Sequence, residues 1–219
     1  MTRPQRLRFS FRFLALLGLM AAPLFAVSAD KGFGIEIAPF VGYRMGSGID
    51  IVTAGAESRG RLRFDDGESL GVVMNVDLKQ PGKQAELYFA RQDTTAYTSD
   101  AFLEPDIRAI DVVIYQLQFG GLYFPGGKST GGFASGVAGV THLEPRNSDY
   151  RTHHRASIAL GAGYKFALTE HLLVRLDLRG IYTALDSGGS VFCSGGCTAR
   201  FESSGFFQAE AGAGLVVRF

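Results

Sequence analysis

Eight segments with apolar residues at alternate positions constrain the fold of this chain more than any other feature of its sequence. Each segment is about 10 to 14 residues long and is bounded by turn-forming or charged residues. Period-two alternation is typical of strands with two different faces, and no segment after the N-terminus has a helical face of useful length. The segments cover residues 33–45, 69–78, 84–97, 109–124, 131–143, 154–167, 171–183 and 207–219. We therefore expect an all-β fold.

The two faces of the strands differ in polarity. In the seventh segment Arg175, Asp177 and Arg179 alternate with Val and Leu residues. Three charges on alternate residues cannot face lipid, so we expect the polar face inside a barrel and the apolar face outside it. The fourth segment is ambiguous, because Asp111 and Gln116 fall on opposite faces unless a β-bulge intervenes.

The lengths of the connections provide a separate test. After the second, fourth and sixth segments the connections are short, at residues 79–83, 125–129 and 168–170. After the first, third, fifth and seventh they are long, at residues 46–68, 98–108, 144–153 and 184–206. Outer-membrane barrels have short periplasmic turns and longer extracellular loops, so this alternation favours a barrel with both ends in the periplasm. A soluble β-sandwich is the alternative, although nothing in that fold requires the alternation.

The N-terminus has the pattern of a secretory signal peptide. Residues 1–12 are basic, residues 13–25 are apolar, and the small residues 27–29 precede Asp30 as a cleavage site would. We expect residues 1–29 to be removed and residues 30–219 to form one barrel domain. An uncleaved anchor helix is the alternative, which the short apolar stretch disfavours.

Charge and hydropathy exclude two classes of protein. Lys and Arg number 22 against 21 Asp and Glu, and four of the Arg residues precede residue 30, which leaves 18 basic residues against 21 acidic ones. A chain without a basic excess has no field to attract nucleic acid. No apolar run of roughly 18 residues follows the N-terminal segment, which excludes a helical membrane protein. No motif indicates a cofactor.

The predicted signal peptide, the eight strands and a last strand ending in Leu215, Val217 and Phe219 resemble the small outer-membrane β-barrel family related to the transmembrane domain of the major outer-membrane protein A. The resemblance implies an eight-stranded antiparallel up-and-down transmembrane β-barrel, surrounded by lipid in the outer membrane of a Gram-negative bacterium. It also implies that the barrel assembly machinery recognises the terminal Phe and the alternating apolar residues before it.

The chain has no Trp, so the aromatic belts at the two membrane interfaces must consist of other residues. The candidates are Tyr43, Phe89, Tyr123, Phe124, Phe166 and Phe219.

Charged residues are expected inside the barrel. Eight strands enclose a space wide enough only for side chains or one small ligand. The inward charged residues are Glu36, Arg44, Glu86, Arg175, Asp177, Arg179, Glu210 and Arg218. Because an unpaired charge is costly in a dry site, we expect ion pairs between neighbouring strands to plug the lumen. A structural role in the envelope is the simpler hypothesis, and a gated polar pathway through exchangeable Arg and Glu pairs is the sharper one.

Apolar residues in two of the long connections suggest another function. They are Ile49, Ile51, Val52, Val191, Phe192, Phe201 and Phe206. They favour passage or binding of a small solute, including a hydrophobic one, at the barrel mouth, with residues 46–68 and 184–206 as a lid. The simpler interpretation is that these residues continue the strands beyond the bilayer.

Catalysis is not expected. The candidates for a nucleophile, a base and an orienting acid are His153, His154, Ser157 and Asp149, near the outer end of the sixth strand. Positions three apart in a strand face opposite sides, so His154 and Ser157 cannot form a dyad. His142 and His171 lie at other strand ends, where interfacial or solvated histidines are ordinary.

Cys193 and Cys197, the two cysteines, lie in a glycine-rich stretch of the last long connection. Export makes a disulfide plausible, and a bridged loop loses less entropy on binding, which favours surface recognition of an extracellular ligand. A metal site is disfavoured because two thiols without a nearby His are too few ligands.

Overall fold

The computed structural model describes residues 34–46, 48–53, 59–98, 109–146, 153–185, 199–201 and 205–219. The predicted signal peptide at residues 1–29, the cysteines Cys193 and Cys197, and Asp149, Val191 and Phe192 lie outside these residues. Within the described part of the chain, no helix has the length and hydropathy needed to cross a membrane.

Eleven strands make up the described structure. They are β1 (Ile35–Met45), β2 (Gly48–Thr53), β3 (Arg59–Phe64), β4 (Gly67–Asp77), β5 (Lys83–Thr98), β6 (Ala109–Tyr123), β7 (Gly131–Pro145), β8 (His153–Ala167), β9 (Leu172–Ala184), β10 (Ala199–Phe201) and β11 (Gly205–Arg218). Eight of these, namely β1, β4, β5, β6, β7, β8, β9 and β11, pair in that order with antiparallel neighbours and close on themselves. The predicted eight-stranded antiparallel barrel is confirmed, and each predicted segment ends within two residues of its strand.

The barrel closes with a stagger between its first and last strands. Stepping once around the barrel through paired residues leads from Ile35 on β1 back to β1 at Met45, ten residues further along. The steps are Ile35, Val76, Ala85, Gly121, Gly136, Leu160, Gly180, Ala209 and Met45. A closed sheet of this size and stagger tilts its strands by about 40° and leaves an interior that side chains can fill.

Three short strands extend the sheet beyond the barrel on the side of the long connections. β2 and β3 form a hairpin, β3 pairs with the end of β5 from Ala96 to Thr98, and β10 pairs with β2. The segments that hold Ile49 and Phe201 therefore continue the sheet, as the simpler interpretation of these apolar connections expected.

The outward face of the barrel carries a band of apolar side chains. Leu160, Leu178 and Phe119 are each more than 60% exposed, although they are large and apolar. Above the band the outward face becomes polar, at Glu68, Arg91, Asp93, Asp111 and Glu144. An exposed apolar band that circles a closed barrel and ends at charged residues is the surface that a bilayer covers.

The register of β6 settles which way its residues face. Its pairing with β5 and with β7 runs without interruption over the whole strand, so no bulge intervenes. Gln116 consequently points into the lumen, and Asp111 lies outside, where its carboxylate accepts a hydrogen bond from Thr95 at 2.9 Å.

Most of the predicted aromatic belt faces outward, with one correction. Tyr43, Phe89, Tyr123, Phe166 and Phe219 are 44–52% exposed. Phe124 is 1% exposed and packs inside the barrel against Phe133, with ring centroids 5.5 Å apart. The prediction for Phe124 was wrong because the alternation continues one residue past the end of β6, where the Phe124 amide donates to the carbonyl of Gly82.

Gly82 lies in the short turn between β4 and β5, where its backbone conformation and a close contact both favour glycine. Its φ is +72°, a left-handed conformation that side chains disfavour, and a Cβ there would lie 2.5 Å from the Phe124 carbonyl oxygen. The turn between β4 and β5 therefore packs directly against the next turn at the periplasmic end.

Candidate functional site

The lumen holds three groups of charged side chains stacked along the barrel. The first, which we call the outer cluster, centres on Glu210 of β11 and Arg44 of β1, whose side chains are buried and 2.5 Å apart. Glu210 also accepts hydrogen bonds from the hydroxyls of Tyr88 at 2.6 Å and Ser69 at 2.7 Å. Three partners on β1, β4 and β5 thus share the one carboxylate of β11, because the register places these four strands side by side.

The middle cluster lies one layer further towards the periplasm. The carboxylate of Glu86 on β5 contacts Arg175 at 2.7 Å and Arg179 at 3.1 Å, both from β9 on the far side of the lumen. Arg175 also makes two parallel hydrogen bonds to Asp177, at 2.5 and 2.9 Å. Paired geometry of this kind is the strong form of a guanidinium–carboxylate contact.

The periplasmic cluster closes the lower end of the lumen. Glu36 on β1 is 1% exposed and accepts hydrogen bonds from Lys165 and from Arg218, whose Nη2 atom is 2.5 Å away. The Lys165 ammonium also donates to Gln84 at 2.8 Å. Lys165 is not among the eight charged residues that the sequence predicts for the lumen, although alternation along β8 places it on the inward face.

Two neutral side chains join the clusters into one network. Tyr88 belongs to the outer cluster through its hydroxyl. The guanidinium carbon of Arg179 lies over its ring, 4.2 Å from the ring centroid, which connects the outer cluster to the middle cluster. Asn75 joins the middle cluster to the periplasmic cluster, because its side-chain oxygen accepts hydrogen bonds from Arg175 at 3.0 Å and from Lys165 at 3.4 Å. All eight predicted lumen residues, together with Lys165, therefore belong to a continuous column of charges.

Four buried glutamines lie on the extracellular side of this column. The set, which we call the amide ring, consists of Gln92, Gln116, Gln118 and Gln208. Among the described residues Gln116 has no hydrogen-bond partner for either amide atom, and the carbonyl oxygens of Gln118 and Gln208 also have none. Buried amides need partners, so this layer has unused capacity to bind water or a polar group.

Above the amide ring the inward face becomes apolar. Ile114 and Leu143 are almost fully buried, as are Ile110 and Val112 on the same strand as Ile114. Phe206 on β11 packs against Phe64 on β3, with ring centroids 5.2 Å apart. The lumen thus changes from charged to amide-lined to apolar towards the extracellular end.

The residues of the other predicted sites are spread over different parts of the barrel. Leu215, Val217 and Phe219 share the outward face of the last strand, and Phe219 donates its amide to the carbonyl of Ile35 at 2.9 Å. The side chain of His154 is exposed on the outside, whereas Ser157 is buried in the lumen. The structure therefore does not bring these two candidate catalytic groups together.

No protein-family model matches the chain, and no curated protein matches its sequence. The barrel is similar to the outer membrane protein OprG from Pseudomonas aeruginosa, at 16% identity over 86% of this chain and 96% of that chain, with a TM-score of 0.57. The match to Neisserial surface protein A spans 84% of this chain and 97% of that chain, at 10% identity and a TM-score of 0.46. The match to the N-terminal β-barrel domain of Pseudomonas aeruginosa OprF spans 84% of this chain and 98% of that chain, at 15% identity and a TM-score of 0.43.

At this identity the likeness to OprG shows a shared fold. The apolar band supplies an independent physical argument, because a closed barrel with a lipid-facing exterior and a polar interior is stable only in a bilayer. Fold and surface together identify the chain as a small eight-stranded β-barrel of the outer membrane.

Proposed function

We propose that this barrel has a closed lumen and acts as an integral component of the envelope, with any recognition taking place at its outer surface. The observation that carries the proposal is the continuous column of charges from Arg44 to Arg218. Breaking one buried ion pair by removing a partner costs about 3–5 kcal/mol, and a solute crossing the barrel would have to disturb several pairs together.

The outer end of the barrel supports the second part of the proposal. β5 and β6 are 16 and 15 residues long and project above the apolar band, and β2, β3 and β10 add to them. Strands hold their side chains more precisely than loops do. This extracellular sheet is therefore a suitable platform for contacts with another surface molecule.

Planar-bilayer recording of the refolded protein tests whether the lumen is closed. We expect the unmodified protein to be silent, and the double variant Arg175→Ala, Arg179→Ala to conduct because Glu86 and Asp177 become uncompensated and hydrated. The control Arg91→Ala changes an exposed arginine outside the apolar band and should remain silent. Discrete conductance in the unmodified protein would overturn the proposal.

A second candidate function is binding of a small amphiphile at the barrel mouth. The specific observation in its favour is the sequence of layers, with apolar walls at Phe206 and Ile114 above the unsatisfied amide of Gln116. An apolar body would contact the walls, and a hydroxyl or amide group would bind Gln116. The column of charges below would stop such a molecule, so the geometry favours binding over passage.

The absence of Trp from the sequence allows a direct test of this second candidate. Phe206→Trp would place one fluorophore in the upper lumen, and Leu215→Trp would place one on the lipid-facing surface. An 11-bromoundecanol titration should quench the first saturably and the second only in proportion to the bromide in the membrane. Equal, non-saturating quenching of both would exclude the site.

Three further expectations accompany the main proposal. We propose the specific relation to outer-membrane protein A because of the apolar residues and terminal Phe of the last strand. We propose on the same grounds that the barrel assembly machinery recognises Phe219. A role without catalysis is supported by the opposite orientations of His154 and Ser157. Replacing both His153 and His154 with Ala should therefore leave any lipase or acyltransferase activity of the purified protein unchanged.

A further inference from the structure

A pair of histidines lies on the outer wall of the barrel, at the upper edge of the apolar band. The register of β7 and β8 places His142 directly opposite His154. Their Nδ1 atoms are 3.2 Å apart, and their ring centroids are 4.4 Å apart. Neither residue takes part in the charged lumen, and His154 is exposed while His142 is half-buried.

The separation of the two nitrogens matches the coordination geometry of a metal ion. A neutral imidazole has one N–H and one lone pair, so two facing Nδ1 atoms must share a proton or a cation between them. Zn–N bonds of about 2.0–2.1 Å in a tetrahedral site place two ligand nitrogens about 3.3 Å apart. Imidazole nitrogens suit Zn²⁺, Cu²⁺ and Ni²⁺ in particular.

The strands hold the two rings in position. His142 and His154 belong to an antiparallel ladder that is continuous from Gly131 to Leu143, and Tyr115 of β6 flanks His142 with ring centroids 6.1 Å apart. Two ligands fixed by paired strands lose little freedom when a cation binds.

We propose that His142 and His154 form a binding site for a divalent transition-metal ion on the extracellular rim of the barrel. In the described part of the chain no three His, Cys, Asp or Glu side chains come together, so the protein supplies two ligands and water completes the coordination. The Irving–Williams order then predicts the tightest binding for Cu²⁺, followed by Ni²⁺ and Zn²⁺. Because the site is outside the lumen, it does not depend on whether the barrel is closed.

Calorimetric titration of the refolded full barrel with NiCl₂ tests the proposal. We expect one binding site in the unmodified barrel. Its affinity for Ni²⁺ should fall by at least about tenfold in both His142→Gln and His154→Gln, since a single imidazole cannot chelate the ion. The control is His171→Gln, which changes an exposed histidine at the periplasmic end whose Nδ1 lies 3.1 Å from the Arg218 carbonyl oxygen. Its affinity for Ni²⁺ should equal that of the unmodified barrel.

Electron paramagnetic resonance with one equivalent of Cu²⁺ supplies a second readout. The unmodified barrel should show two equivalent nitrogen ligands, and each of the two variants should show fewer. Both side chains are on the outer wall, and heat-dependent gel mobility verifies that each variant is folded. Unchanged Ni²⁺ affinity in His142→Gln and His154→Gln, or equal loss in His171→Gln, would overturn the proposal.

Discussion

The guanidinium carbon of Arg179 lies 4.2 Å from the centre of the Tyr88 ring. The hydroxyl of that ring donates to Glu210 at 2.6 Å and accepts a hydrogen bond from Arg44 at 3.2 Å. One aromatic side chain therefore connects the middle cluster to the outer cluster. A substitution in either cluster should therefore alter the interactions of the other.

Tyr88→Phe tests this connection. The change keeps the ring beneath Arg179 but leaves Glu210 without one of its donors, so we expect the free energy of unfolding to fall by about 1–3 kcal/mol. Urea unfolding in lipid vesicles, followed by circular dichroism, measures the loss. Tyr123→Phe, at an exposed position, is the control and should change the free energy little. Equal stabilities of the two variants would contradict the role of the hydroxyl.

The Arg44–Glu210 pair should show strong coupling. Glu210→Leu alone leaves the Arg44 guanidinium buried without its carboxylate, and we expect a loss of about 3–5 kcal/mol in the free energy of unfolding. In the double variant Arg44→Met, Glu210→Leu the charge is gone from both sides, so much of that loss should be recovered. A double-mutant cycle by urea unfolding measures the coupling, and strictly additive losses would contradict it.

Gly120 should resist substitution. It lies so close to β7 that a Cβ would overlap the carbonyl oxygen of Gly136 and stand 2.7 Å from the Cα of Val137. We expect Gly120→Ala to fold poorly, because backbone atoms of a paired strand cannot move aside. Gly136→Ala is the matched control, since its Cβ would meet only Leu160 at 3.5 Å. The yield of the heat-modifiable folded band on a gel compares them, and equal yields would be evidence against this packing.

Asp93 should titrate below the ordinary range of an aspartate. It lies above the apolar band, where partial burial would raise the pKa of its carboxyl, but hydrogen bonds from Arg146 at 2.7 Å and Arg91 at 3.1 Å lower that pKa overall. The contact between β5 and the end of β7 is therefore fully present at neutral pH and is lost as the pH falls through the lowered pKa.

Carbon-detected NMR titration of Asp93 measures this directly. Arg146→Gln removes the stronger hydrogen bond, so the pKa of Asp93 should rise towards its ordinary value. Lys128→Gln, which changes an exposed residue at the periplasmic end, is the control. A pKa of Asp93 that does not respond to Arg146→Gln would contradict the assignment.

The sequence predicted the eight barrel strands because burial in a membrane barrel imposes alternation on every one of them. It did not predict β2, β3 and β10, which are three to six residues long and lie above the bilayer, where lipid no longer imposes that pattern. Short strands with charged residues such as Arg59, Arg61 and Arg63 are indistinguishable from loops in sequence.

The faces of the lumen residues were predictable, but their partners were not. Alternation shows that Lys165 and Glu36 both point inward. Which residues meet across the lumen depends on the stagger of the barrel, and the stagger is a property of all eight pairings together. The error at Phe124 has a different cause, because alternation continues one residue past the end of β6 and turns this side chain inward.

Pairing of β1 with β11 gives the barrel a further property. The first and last strands of the barrel are direct neighbours, and the Phe219 amide donates a hydrogen bond to the Ile35 carbonyl where they meet. A chain lacking only its final strand would present two complementary open edges separated by one missing strand. A synthetic peptide with the sequence of residues 205–219, added from outside, should then be able to complete the sheet as a separate piece.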